Sequence, residues 1–80
     1  MDVRTLSYGE QAVGLTFNPS NDKNVNEIKE LYAQIIDRLN YLRDDQDKKV
    51  SGERKRLSSV AITEAQTAQM WAVKAITWKD

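Results

Sequence analysis

Eighty residues make one small domain, too short to bury a generous core unaided, and a chain with no cysteine and no histidine excludes disulfides, the preferred zinc ligands and any Cys–His or Ser–His nucleophile. Twelve basic residues balance twelve acidic ones, so net charge offers no argument for a duplex nucleic acid partner. No apolar run is long enough to cross a bilayer and the N-terminal MDVRTLSYGE lacks the apolar stretch of a signal peptide, which together point to a soluble protein of a reducing cytoplasm. Self-association is then the remaining way to supplement the core.

In chain order, residues 1–21 read as an irregular arm ending in Phe17-Asn18-Pro19-Ser20, which holds the sole phenylalanine and the sole proline. The proline ends the arm, and Ser20, Asn21, Asp22 and Asn24 are all residues that cap helix starts by accepting from exposed backbone N–H groups. A first helix follows over 22–45. Val25, Ile28, Tyr32, Ile35, Leu39 and Leu42 recur in steps of three and four, which places them on one stripe, with Ile36 widening it. Lys29 lies beside that stripe in the first turns. An ammonium near the free N–H groups of a helix start can form an anion site, although an ordinary exposed lysine would fit the same position.

Residues 46–52 read as a charged turn broken by Gly52, and Arg54, Lys55 and Arg56 form a basic run beyond it. The second helix spans 53–77. Ala61, Ala65, Ala68, Ala72 and Ala75 form a stripe of small side chains that lets another helix approach closely. Leu57, Val60, Glu64, Thr67, Trp71 and Lys74 lie on a neighbouring stripe, with Met70, Val73 and Ile76 alongside. One partner helix cannot cover both stripes, so the pattern predicts contact with a second subunit. The fold class expected is all-α: an N-terminal arm and an antiparallel two-helix hairpin that assembles into a homo-oligomer.

Thr63, Glu64, Gln66, Thr67, Gln69 and Lys74 interrupt the second helix's apolar pattern, and polar groups on packing faces need partners or a function. Glu64 suits an ion pair across the interface, to Arg38 or Lys74 of another chain, or, with Thr63, hydrogen bonds to a base edge. Trp71 reads as core or interface, while Trp78, Tyr8 and Phe17 either staple onto the helix pair or stack on something flat.

The pattern VGLTFNPS…VNEIKELYAQIIDRLN…ERKRLSSVAITEAQTAQMWAVKAITW resembles the helical-hairpin proteins of bacteriophages, the anti-CBASS cyclic-nucleotide sponges and the related hairpin of a Thoeris-inhibiting sponge. Phe17–Ser20, Ile28–Lys29, Arg56 and 61–74 carry the likeness, which runs from about Val13 to Trp78. It implies homo-oligomers, often hexamers, that sequester cyclic di- and trinucleotides without cleaving them, in the cytoplasm of the infected bacterium. It implies Lys29 as the ligand lysine, Tyr8 as the stacking aromatic with Phe17 able to take over, Asn18 beside them, and Arg56, Thr63 and Lys74 as trinucleotide contacts. The chain is then not an enzyme, and no metal or cofactor is expected. The alternative is a small oligomeric helical protein whose ligand is another protein, such as a host regulator.

Overall fold

The computed structural model describes residues 5–44 and 51–80, and the regular elements among them are all helices: α1 (Tyr8–Ala12), α2 (Lys23–Arg43) and α3 (Gly52–Thr77). Asp45 and the turn segment 46–50 lie outside the described residues. No helix among the described residues is long and apolar enough to cross a membrane.

The arm is not irregular, as the sequence reading expected: five of its residues form α1. Ser7 caps it through a reciprocal pair of hydrogen bonds, its Oγ accepting from the Glu10 N–H (3.1 Å) while a Glu10 carboxylate oxygen accepts from the Ser7 N–H (2.9 Å). The helix stops at Gly14, whose φ of +62° is left-handed backbone that suits glycine. There the Leu15 N–H reaches back to the Glu10 carbonyl (3.0 Å) and the Gly14 N–H to that of Gln11 (3.1 Å).

A carboxylate docks α1 onto α2. Asp37 accepts from the Ser7 hydroxyl (2.8 Å) and the Gly9 N–H (2.6 Å). Gly9 is buried against α2 so closely that a Cβ there would lie 2.1 Å from the Ala33 carbonyl oxygen. At the far side of α1, the Gln66 amide donates to the Ala12 carbonyl (3.3 Å), tying α3 to the same short helix.

Asp22 caps α2 by accepting from the Asn24 N–H (2.7 Å), and Ser51 caps α3 by accepting from the Arg54 N–H (3.1 Å). The end of α2 meets the beginning of α3, where Arg43 donates to Ser59 Oγ (3.2 Å). The beginning of α2 lies beside the end of α3, with Val25 and Val73 lining one cavity.

The apolar seam of α2 is rotated from the stripe expected. Val25, Lys29, Ala33 and Ile36 are its buried residues, whereas Ile35 is half exposed. Two adjacent stripes of a helix both satisfy steps of three and four, and here the arm settles the choice: Val13 joins Ala33, Ile36 and Ile62 in the core cluster. On α3 the alanine stripe is only partly covered, and Leu57, Val60, Met70 and Trp71 are exposed.

Candidate functional site

Lys29 is the centre of the arrangement, because α2 turns it inward and the arm closes over it. It is only 5% exposed. Its Nζ donates to the carbonyls of Gly14 (2.9 Å) and Phe17, and it lies 5.6 Å from the centroid of the Phe17 ring. Those carbonyls face inward because the left-handed Gly14 turns the chain, and the Phe17 N–H closes the turn onto Gly14 (2.9 Å). No carboxylate pairs with Lys29 among the described residues. Burial lowers its pKa from the ordinary lysine value, since a desolvated ammonium is penalised and only carbonyl dipoles offset the loss of water.

Lys29 lines two cavities. The larger, about 690 Å³, lies between the arm and α3, with Gly14, Phe17, Lys29, Thr63, Gln69 and Met70 among its walls. The smaller, about 250 Å³, is bounded by Phe17, Asn18, Pro19, Val25, Lys29 and Val73. Phe17 is largely exposed, so its ring forms an open wall and not part of the core. A positive charge held beneath an accessible ring matches a ligand carrying both a negative charge and a flat face.

Of the residues singled out in the sequence, Lys29, Phe17, Asn18 and Thr63 come together around these two cavities. Asn18 wall-lines while its side chain serves the loop. Its amide nitrogen lies 2.9 Å from the Asp22 carbonyl and 3.0 Å from Asn26 Oδ1, and its oxygen accepts from the Ser20 hydroxyl (2.7 Å).

The other three lie elsewhere in the single chain. Tyr8 faces the opposite end of α2, with the Arg43 guanidinium 5.4 Å from its ring centroid. Arg56 is exposed at the start of α3 and pairs with Glu53 one turn earlier. Lys74 sits on the outer side of α3, 5.2 Å from the Trp71 ring centroid and 5.7 Å from that of Trp78. Glu64 is exposed on α3.

The sequence reading did not place Gln66, Gln69, Met70 or Val73 at the site, yet all four wall the larger cavity. The signal was present for the two glutamines, which interrupt the apolar pattern of α3. Among the described residues no cluster of three His, Cys, Asp or Glu side chains is gathered to hold a metal ion.

A family model described as Acb2/Tad1, hairpin domain, matches residues 9–77. No curated protein and no solved structure gives a significant match.

Proposed function

The chain belongs to the Acb2/Tad1 hairpin-domain family, and from that premise we propose that it is a phage immune-evasion sponge that binds cyclic oligonucleotide second messengers and holds them uncleaved. The observation that carries the reading is a buried lysine with no carboxylate partner among the described residues, lining a cavity of about 690 Å³. That volume lies within the range of small-molecule sites, roughly 300–1,000 Å³. A cyclic dinucleotide brings phosphates that neutralise Lys29 and bases that lie flat against Phe17.

The proposed working form is an antiparallel hairpin repeated in a homo-oligomer, a hexamer by family likeness, in the cytoplasm of the infected host. The exposed Leu57, Val60, Met70 and Trp71 favour such assembly, because a lone chain leaves this apolar surface in water. Two-fold symmetry doubles every Lys29 and Phe17, which suits a ligand with two phosphates and two bases. Tyr8, Arg56 and Lys74 reach a ligand in this scheme only from neighbouring subunits. The same exposed surface supports a second reading, in which the ligand is another protein such as a host regulator.

Calorimetric titration with a panel of cyclic di- and trinucleotides tests the proposal. The expected result is stoichiometric, submicromolar binding by the parent, recovery of intact ligand after heat denaturation, and at least about a hundredfold loss in Lys29→Ala, the scale on which a buried charged hydrogen bond acts. Absence of binding below the micromolar range across the panel overturns the sponge reading and leaves the protein-partner one, which pull-down from infected cells then addresses.

A further inference from the structure

Gln69 is as deeply buried as Lys29, at 5% exposed, and it faces the same cavity. It occupies the seam of α3, in register with Ser58 and Ile62, where leucine would be the ordinary filler. Most other polar side chains of that cavity wall have partners within the chain. Lys29 donates to two carbonyls, Gln11 to the Leu6 carbonyl (3.1 Å), Gln66 to Ala12 and the Thr67 hydroxyl to Thr63 (3.2 Å). Thr63 is exposed to water. The Gln69 amide makes no hydrogen bond to the described residues, yet no side-chain polar atom among them is both buried and without a partner, so its nitrogen and oxygen remain accessible where the residue lines the cavity. An amide that holds a place on a packing seam, bonds nothing in the chain and stays reachable from a cavity has both its donor and its acceptor free for a ligand.

We propose that Gln69 selects the base of the bound nucleotide, pairing through its amide with the adenine edge while Lys29 takes the phosphate. The inference rests on the cyclic-nucleotide reading and adds the residue that discriminates. A carboxamide offers one donor and one acceptor side by side. Adenine answers with the N7 acceptor and the N6 amino donor, giving two parallel hydrogen bonds. Guanine presents two acceptors, N7 and O6, on the corresponding edge, which sets O6 against the amide oxygen. Cyclic di-adenylate is therefore bound in preference to cyclic di-guanylate.

The experiment titrates both rings against the parent, Gln69→Leu and Gln69→Met, and records thermal melting of each protein without ligand. The parent is expected to prefer di-adenylate by about tenfold or more, the discrimination of one good bidentate pair. Both variants are expected to lose that preference and about tenfold or more in di-adenylate affinity, while melting close to the parent's temperature because the amide bonds nothing among the described residues. Variants that keep the parent's affinity and preference overturn the role of Gln69 while the sponge reading stands. A parent that binds rings but prefers di-guanylate also overturns it. A parent that binds neither these rings nor the wider panel removes the sponge reading itself, and this inference with it. Gln69→Met, close in length and without an amide, keeps the comparison open should leucine disturb the seam.

Discussion

Lys29 has two roles: its ammonium fastens the Gly14–Phe17 loop to α2, and the residue puts a positive charge on the wall of two cavities. Its lowered pKa gives both roles a pH signature. The folded chain releases this proton at a lower pH than the unfolded chain. Between the two values the unfolded state binds more protons, so the stability of the parent relative to Lys29→Met should rise with pH across that window. Below the folded value the burial penalty is present in full. A bound phosphate restores the ammonium, so affinity should be greatest below the free protein's Lys29 pKa. It should fall by up to about tenfold per pH unit above that value, until the pKa of the complex is passed. Titrations at stepped alkaline pH, with protonation heats separated by buffer choice, check both signs.

Asp37 is the second residue whose chemistry is spoken for, since it accepts from the Ser7 hydroxyl and the Gly9 N–H. Asparagine keeps one acceptor and turns a donor toward one of those two donors. Asp37→Asn should therefore cost about 1–3 kcal/mol in urea unfolding, and amide exchange should rise first in residues 8–12.

Among the elements, α1 depends most on a single atom's absence. A side chain at Gly9 meets the Ala33 carbonyl, so Gly9→Ala should lever α1 away from α2. The expected cost is about 1–3 kcal/mol, with Val13 losing its cover; urea titration reads the first and amide exchange at Val13 the second. If Gly9→Ala is neutral, the close approach is not required for docking.

The elements also mark how far the sequence could be read. Steps of three and four announce α2 and α3 as helices, because long amphipathic helices carry many repeats of one signal. Five-residue α1 offers no periodicity, and only Ser7-x-x-Glu10 announced it. The spacing sets Lys29 beside the apolar stripe, but the arm's Val13 and the loop carbonyls draw it inside; that rotation depends on contacts over sequence separations of 12 and 15 residues, which no local pattern encodes. Tyr8 and Phe17 looked equivalent as aromatics of one arm. The left-handed Gly14 turn between them sends Phe17 to Lys29 and leaves Tyr8 with Arg43.

The whole molecule presents one covered and one uncovered side of α3. Leu57 and Trp71 lie on the uncovered side with Glu64, so introducing further negative charge there adds both desolvation and like-charge repulsion to any interface. The parent is expected to sediment as an oligomer, and Leu57→Glu combined with Trp71→Glu as a smaller species with the helical content retained. A parent that sediments as a monomer at every concentration would remove the assembly from the proposed function.

Trp71 and Trp78 are the only two tryptophans of the chain, and both are about two-thirds exposed. The protein thus carries a built-in optical probe whose whole signal comes from the outer side of α3. Indole emission shifts to longer wavelength as water reaches the ring, so the colour of the unlabelled protein follows the covering of this one face. Dilution at fixed wavelength would then trace dissociation. A ligand bound only in the Lys29 cavities would alter that emission chiefly by changing how subunits meet.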